Sequence, residues 1–554
     1  MAFKTERQLS RVDILNVTIL VALTVILFIP SLGIRFLNDD VSVIGFSVGG
    51  DRANYGKLLS HEEVLGGYYR PLSNLANMVD FSLWGWNPFG FHLTNLLLHV
   101  LNVAFVYCLA RLLMEGHYAA FVAALLFAVH PIHELSVLWI PGRGDLLCGL
   151  FYVLAVILWI RWRSHPRRAL VLSSLLVFLF ALLSKEMAIS LPLLLFVIEF
   201  RFQWEERSHH LRQMLVESLR RSWPYFIVLL LYGLGRYVLL NDDVLHSART
   251  GYSNTALLYL AKNIAAFTGF LLVPFGHFAI EGFLTAHPAV FLSALVGASV
   301  LGCWILWKGI ATSTSFAITV LWIVVALLPV LQLSMRWYMY LPSVGFCIGV
   351  GFLLALIFRR ARALAVALTL VLITAYSVPL YAQERTWLET STLAERLLRD
   401  VHTQVPSLSD NDGIFVLALP AKLGGTPILN LGFPGAVHHL YKNDTMLVTI
   451  ASKVVMTDLD VEVTVTQADS SEWKLATPEA AYFMFSGLSS FGQEYSPARG
   501  DSLLTEDWDV RIEGLNPQSK VNCISVRLLN REIRKHSYFF AYANRHFRLV
   551  DVKS

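Results

Sequence analysis

Long apolar runs separated by short polar stretches fill the chain as far as residue 380. A membrane-spanning helix needs about 20 mainly apolar residues, and most of these runs approach that length. The runs cover residues 14–33, 91–113, 119–140, 146–162, 169–183, 187–200, 225–240, 289–307, 316–333, 339–358 and 363–380. A weaker run, 256–275, is interrupted by Lys262 and Asn263. The pattern predicts a polytopic α-helical membrane protein with about 11–13 transmembrane helices.

The pattern changes after residue 381. Residues 385–401 have the spacing of an amphipathic helix, and short β-prone runs bounded by Gly, Pro, Asn and Asp follow it. These runs are 413–420, 446–456, 461–467, 522–529 and 538–550. We therefore expect a transmembrane domain over 1–382, a connecting amphipathic helix over 383–405, and a small β-rich extracytoplasmic domain over 406–554.

The composition agrees with a membrane location. Hydrophobic residues make up 55% of the chain and charged residues only 15%, against about 25% charge in soluble proteins. The net charge of +4 is small, and the basic residues lie between apolar runs, so no nucleic-acid partner is expected. Most of the five cysteines lie in or beside apolar runs, which indicates no disulfide framework.

Arginine clusters predict the orientation, because basic loops stay on the cytoplasmic side. The clusters are Arg161, Arg163, Arg167 and Arg168; Arg201, Arg207, Arg212, Arg220 and Arg221; and Arg359, Arg360 and Arg362. They predict a cytoplasmic N-terminus, an uncleaved first span, an odd number of spans and an outward-facing C-terminal domain. The first outer loop then covers 34–90, and its segments 55–65 and 72–85 have helical spacing.

Two adjacent carboxylates, Asp39 and Asp40, begin this outer loop, directly after the first apolar run. Further along the loop, Arg70 follows Tyr69 and precedes a proline. An arginine of this kind grips a lipid phosphate with paired donors, or it anchors the chain at the headgroup level. The motif by itself favours the anchor.

The second apolar run carries a polar seam on one helix face. Its members are His92, Asn95, His99 and Asn102. Hydrogen bonding between helices explains such a seam most simply. His92 and Asn95, near the outer end, are weaker candidates for a functional site.

The second outer loop contains His130, His133 and Glu134 on one turn. A zinc protease requires His-Glu-x-x-His, and the sequence here is His-Pro-Ile-His-Glu, so a zinc-protease site is not indicated. A divalent ion shared between this turn and Asp39 or Asp40 is left open. The cofactor is therefore unknown, with a divalent cation as one alternative.

Further charged side chains occur near the outer ends of later spans, where inserting each of them into the membrane costs free energy. They are Arg143, Asp145, Lys185, Glu186 and Arg336, the last followed by Tyr338. Several such groups with both signs present suggest a site for an anionic ligand.

Five stretches resemble the membrane half of the transmembrane, tetratricopeptide-repeat O-mannosyltransferases, which are GT-C glycosyltransferases. They are "YYRPLSNL", "NPFGFHLTNLLLHVLN", "LLFAVHPIHELSVLWIPGRGDLL", "LLSKEMAISL" and "YLPSVGF". The resemblance implies a GT-C-like membrane fold and transfer of a sugar from a polyprenyl phosphate at the outer or lumenal membrane face. It also implies a donor-phosphate role for Arg70, Arg143, Lys185 and Arg336.

By the same resemblance, Asp39 or Asp40 acts as general base or assists a metal, with a narrow preference for Asp39. The secondary candidates are Tyr69, His92, His133, Glu134, Asp145, Glu186 and Tyr338. The tail lacks tetratricopeptide helices, which leaves open both the sugar and the acceptor.

The expected function is a polyprenyl-phosphate-sugar-dependent hexosyltransferase, with mannose as one candidate sugar. Its partners would be the lipid-linked donor, membrane lipid, and an acceptor protein or glycolipid. Its compact form favours a bacterial inner membrane over the endoplasmic reticulum. A lipid or lipid-linked-sugar flippase is the main alternative, although no internal symmetry of the transporter kind is present. A membrane scaffold would leave the clustered outer charges unexplained.

Overall fold

The structure is a computed structural model that describes most of the chain. The described residues are 10–48, 69–206, 210–240, 256–272, 313–333, 335–409, 412–423, 425–443, 445–469, 471–484, 497–529 and 536–550. The chain forms two compact units. The first comprises 1–32 and 47–384, and the second comprises 33–46 and 385–554.

The first unit is helical. Its helices, including two that continue into the second unit, are α1 (Arg11–Phe28), α2 (Asp40–Val48), α3 (Pro71–Trp84), α4 (Pro88–Leu113), α5 (His117–Val129), α6 (Glu134–Val137), α7 (Arg143–Ser164), α8 (Arg168–Ser184), α9 (Leu191–Glu206), α10 (Leu211–Leu240), α11 (Ala256–Leu272), α12 (Thr314–Leu327), α13 (Tyr340–Arg360) and α14 (Arg362–Gln404). Short 3₁₀ turns precede several of them, including Ile140–Gly142, Glu186–Ser190 and Arg336–Met339.

Six helical stretches of the described residues are long and apolar enough to cross a membrane. They are Arg11–Gly33, Pro88–Leu113, Ile140–Ser164, Glu186–Glu206, Arg336–Arg360 and Arg362–Gln404, and a bent pair, His117–Val129 with Pro131–Val137, would make a seventh. Arg168–Ser184 and Thr314–Val330 are shorter apolar helices. The polytopic membrane class is therefore confirmed. The run 225–240 lies in α10, which is not one of these stretches, and the run 289–307 lies outside the described residues. The count of 11–13 stays a prediction.

Three of these spans have candidate site residues at or near their first residue, and two of the three have arginines in their last turn. Ile140–Ser164 begins near Arg143 and has Arg161 and Arg163 in its last turn. Arg336–Arg360 ends with two arginines in its last turn. Cations favour helix C-termini and the cytoplasmic side. The outward position of the candidate residues stays a prediction.

The second unit contains two β-sheets and one further helix, α15 (Phe433–Tyr441). Its strands are β1 (Asp412–Leu423), β2 (Thr426–Pro427), β3 (Leu447–Ile450), β4 (Lys453–Met456), β5 (Thr464–Asp469), β6 (Glu472–Ala476), β7 (Ala481–Met484), β8 (Ser502–Leu504), β9 (Trp508–Leu515), β10 (Val521–Leu528), β11 (His536–Ala543) and β12 (His546–Leu549). The C-terminal β-rich region is thus confirmed.

β1 is the central strand of the larger sheet. The order of that sheet is β12-β11-β1-β4-β7, with β2 and β3 also paired to β1, while the smaller sheet has the order β5-β6-β10-β9-β8. β1 runs parallel to β11, β3 and β4. Its residues are buried as far as Ala421, which matches its uninterrupted apolar sequence.

Two features differ from the expected organisation. The last apolar run and the amphipathic segment form one continuous helix, α14, which contains Pro379. Residues 33–46, at the start of the predicted outer loop, belong to the second unit. The predicted helix at 72–85 is present as α3, and the one at 55–65 lies outside the described residues. The domain boundaries near 382 and 405 stay predictions.

Candidate active site

The two adjacent carboxylates occupy different environments. Asp40 is the first residue of α2, is only 1% exposed, and accepts a hydrogen bond from the Leu37 backbone N–H at 2.8 Å. Asp39 is partly exposed, and its Oδ1 accepts a hydrogen bond from Asn38 Nδ2 at 2.8 Å. Asp40 thus closes the turn that leads into α2, and a carboxylate in the first turn of a helix is favoured by the helix dipole. Asp39 has the more accessible carboxylate.

Residues of the C-terminal region hold this acidic segment in place. The Asn38 N–H donates to the Ile428 carbonyl at 2.6 Å, and the Leu431 N–H donates to Asn38 Oδ1 at 3.2 Å. Asn38 itself has a left-handed backbone, with φ 49°. A Cβ at Gly432 would overlap the Asn38 carbonyl oxygen. The backbone of Gly432 therefore approaches Asn38 too closely for any other residue type.

Arg70 forms a two-point ion pair with Glu186. Its Nε and Nη2 donate to Oε2 at 3.0 Å and Oε1 at 2.6 Å, and the side chains are 23% and 25% exposed. Burial would lower the pKa of Arg70, but the charge of Glu186 reverses this and raises it. The guanidinium is thus held in one orientation next to Pro71, which begins α3.

Lys185 forms a second ion pair beside the first. Its Nζ donates to both Asp145 carboxylate oxygens at 2.7 Å, and both residues are buried. The Nζ also lies 4.9 Å from the centre of the Tyr338 ring. Arg70 interacts electrostatically with Asp145 and Tyr338. The structure therefore brings together Arg70, Glu186, Lys185, Asp145 and Tyr338, and we call these five residues the charge cluster.

Arg143 forms its hydrogen bonds with residues outside the charge cluster. It is 1% exposed and pairs with Asp80 through Nη2 at 2.5 Å. It also donates to Asn95 Oδ1, Asn77 Oδ1 and the Phe91 carbonyl. Its donors are thus directed at protein acceptors that tie α3 and α4 to α7. This favours a positioning role over the phosphate contact implied by the resemblance.

Arg336 pairs with Glu134 at 2.8 Å, and its side chain is 19% exposed. Tyr69, directly before Arg70, is buried, and burial raises its pKa. All four candidate phosphate-binding cations are thus paired with a carboxylate, and Arg70 and Arg336 are the more accessible ones.

The candidate histidines lie inside the helical unit. His133 Nε2 lies 2.8 Å from Ser343 Oγ, and its ring packs against Phe127 and Tyr340. His92 is buried, and neither of its ring nitrogens has a hydrogen-bond partner within the described part of the chain. The rest of the seam forms the expected contacts between elements. Asn95, His99 and Asn102 bond to the Trp139 carbonyl, the Tyr340 hydroxyl and the Leu146 carbonyl.

The candidate residues fall into separate groups. Asp39 and Asp40 belong to the second unit, and all the candidate cations belong to the first. Within the ranges that the structure describes, no group of three or more His, Cys, Asp or Glu side chains is arranged to hold a metal ion.

Residues 72–234 match the family model described as dolichyl-phosphate-mannose-protein mannosyltransferase. The protein O-mannosyl-transferase Tmtc2 of Drosophila melanogaster is 40% identical over 131 residues, which are 22% of this chain and 14% of that protein. Human TMTC1 is 44% identical over 88 residues, 16% of this chain and 10% of that protein. Residues 72–234 resemble the O-mannosyltransferases. The resemblance inferred from the motifs is thus confirmed, and the matched stretch is a small part of each relative.

Two solved structures are similar over most of the chain. ArnT from Cupriavidus metallidurans bound to undecaprenyl phosphate is 15% identical with a TM-score of 0.42, covering 80% of this chain and 93% of ArnT. The Archaeoglobus fulgidus oligosaccharyltransferase is 12% identical with a TM-score of 0.44, covering 80% of this chain and 68% of that one. Both TM-scores are too low to establish a shared fold.

The Lys185–Asp145 pair, within the mannosyltransferase-like stretch, gives a prediction about stability. Asp145→Leu leaves a buried, unpaired ammonium, and we expect a loss of about 3–5 kcal/mol. The double variant Asp145→Leu/Lys185→Met removes both charges and should recover most of that loss. Unfolding of the purified protein in detergent measures both effects. Equal stability of the single variant and the wild type would contradict the importance of this pair.

Proposed function

We propose that this protein is an integral-membrane glycosyltransferase that moves a sugar from a polyprenyl-phosphate donor to an acceptor hydroxyl. The observation that carries the proposal is the mannosyltransferase match over residues 72–234. That stretch contains Asp145, Lys185 and Glu186 of the charge cluster, and Arg70 lies just before it.

The residue types suit the chemistry. The acceptor oxygen forms a bond to the anomeric carbon while the bond from that carbon to the phosphate oxygen breaks. A carboxylate takes the proton of the acceptor hydroxyl, and cations stabilise the charge that develops on the departing polyprenyl phosphate. Asp39 is the proposed base, because its carboxylate is more exposed than that of Asp40. By the family analogy, the transfer inverts the anomeric centre.

Arg70 and Arg336 are the proposed donor-phosphate contacts, since both are partly exposed. Glu186 and Glu134 keep the two guanidinium groups oriented in the absence of donor. Lys185, paired with Asp145, adds rigidity behind Arg70. In this arrangement Arg143 supports the site through its buried bonds to α3 and α4 and does not touch the donor.

The proposed partners are a polyprenyl-phosphate-linked hexose, with mannose as the first candidate, membrane lipid, and an acceptor protein or glycolipid. We propose a site on the outer or lumenal membrane face. The sequence relatives named above are animal proteins, so a bacterial inner membrane is not supported.

Arg70 provides a prediction about donor binding. Arg70→Lys keeps the charge but loses the two-point geometry. We expect the KM for the donor to rise about ten- to 100-fold, the value of one hydrogen bond to a charged group. Arg35→Lys is the matched control, because Arg35 forms an exposed single-contact pair with Glu395 at 2.7 Å. An unchanged donor KM for Arg70→Lys would argue against phosphate contact.

The proposed function is tested with purified protein in neutral-lipid vesicles, a panel of polyprenyl-phosphate sugars and a panel of acceptors, with and without chelator. Formation of a glycosylated acceptor from at least one donor is expected. A parallel measurement follows movement of the donor across the vesicle bilayer. Movement without any glycosylated product would support a flippase and contradict the transferase.

A further inference from the structure

One face of the larger sheet concentrates positive charge. In the parallel pairing of β1 with β4, Lys422 lies opposite Val455, and in the antiparallel pairing of β4 with β7, Val455 lies opposite Tyr482. Side chains opposite each other point to the same face of a sheet, and so do residues two apart on one strand. Lys422, Lys453, Val455 and Tyr482 therefore share one face.

A third lysine joins this group from the turn before β10. Lys520 Nζ lies 5.3 Å from the centre of the Tyr482 ring. The ring is partly exposed, Lys520 is exposed, and Lys422 and Lys453 are each partly buried. We call Lys422, Lys453, Lys520 and Tyr482 the lysine face.

No carboxylate balances the two inner lysines among the described residues. Burial lowers the pKa of Lys422, and burial together with the charge of Lys422 lowers that of Lys453. Lys453 lies two residues from Val455, the partner of Lys422, so the two lysines are diagonal neighbours and their like charges repel. This arrangement contrasts with the first unit, where each candidate cation has a carboxylate partner.

We propose that the lysine face is a binding site for a phosphate-bearing ligand. A phosphate monoester carries close to two negative charges at neutral pH and several acceptor oxygens, so it can neutralise Lys422 and Lys453 together. Each ammonium supplies three donors, and lysine binds phosphate as a compact point charge. The Tyr482 ring adds a flat apolar surface for the group that carries the phosphate.

The site lies near the acidic segment along the chain. Lys422 pairs with Pro427 in the short β2 ladder, and the next residue, Ile428, accepts the hydrogen bond from Asn38. A ligand bound at Lys422 would therefore be close along the chain to Ile428, which holds the segment that contains Asp39. The binding itself can be measured without any transfer assay.

Lysine acetylation read by mass spectrometry tests the proposal on the full chain. One arm adds glycerol phosphate to protein in neutral phosphatidylcholine nanodiscs, and the other uses nanodiscs that contain phosphatidic acid. Labelling of Lys422 and Lys453 should fall in at least one arm, while the exposed Lys442 and Lys474 keep their labelling. Protection in the first arm identifies a free phosphate ligand, and protection in the second arm alone identifies a lipid headgroup.

The variant Lys422→Gln/Lys453→Gln provides a second test, in which the labelling of Lys520 is measured. In the wild type, phosphate should also protect Lys520. Each lysine near anionic phosphate contributes about fivefold, so the double variant should bind about 25-fold more weakly, and protection of Lys520 should need about 25-fold more phosphate. Lys442→Gln/Lys474→Gln is the matched control and should retain the protection. Unchanged labelling in both arms, or equal protection at Lys442 and Lys474, would overturn the proposal.

Discussion

Replacing Asp39 with asparagine is expected to lower the rate of sugar transfer by about 100- to 10,000-fold, the usual contribution of a general base. The amide keeps the size of the carboxylate and can still accept the hydrogen bond from Asn38, so the segment should stay in place. The initial rate of acceptor glycosylation at saturating donor measures the loss.

Asp40→Asn is the matched control for this experiment. Its side-chain oxygen can still accept the Leu37 N–H at the start of α2, so the variant should retain most of the rate. The reverse outcome, a normal rate for Asp39→Asn and a large loss for Asp40→Asn, would assign the base to Asp40. Normal rates for both variants would remove the acidic pair from the mechanism.

Gly432→Ala is the second substitution with a large expected effect. A Cβ at this position would overlap the Asn38 carbonyl oxygen, which belongs to the backbone and cannot move alone. The acidic segment, the backbone at Gly432, or both must therefore shift. A displacement of about 1 Å of a catalytic group costs about 100-fold in rate. We expect kcat to fall by that factor with little change in the donor KM, because Arg70 belongs to the other unit.

Gly233→Ala is the control, since a Cβ there would meet nothing within 4 Å. It should leave kcat unchanged. A kcat for Gly432→Ala equal to that of the wild type would show that the C-terminal region does not position Asp39. Denaturation of the variant is monitored by its unfolding temperature, so that global unfolding is distinguished from a local shift.

The fold was predictable where the signal is local. Six of the long apolar runs correspond to candidate spans, because the bilayer demands length and hydrophobicity together. The uninterrupted apolar run at 413–420 corresponds to β1, which is buried by parallel neighbours. The continuity of α14 was not predictable, because Pro379 and the change to an amphipathic pattern both resemble a break.

The candidate site was predictable only as a set of residue types. The sequence identifies the cations but not which carboxylate pairs with each of them, since Arg70 and Glu186 are 116 residues apart in the chain. Arg143 resembled a phosphate ligand, and its pairing with Asp80 depends on the packing of α3 against α7. Asp80, Asn77 and Gly432 were missed. The position of Asn77 and Asp80 on one face of α3 was the only sequence signal for them. The close backbone approach at Gly432 has no sequence signal.

Release of polyprenyl phosphate reports directly on the proposed transfer reaction. Purified wild-type protein and Asp39→Asn are incubated in neutral lipid with polyprenyl-phosphate sugars and acceptor, and free polyprenyl phosphate is quantified over time. We expect acceptor-dependent release by the wild type, at least about 100-fold faster than by Asp39→Asn. Absence of release from every donor in the panel, or equal release by the two proteins, would contradict it.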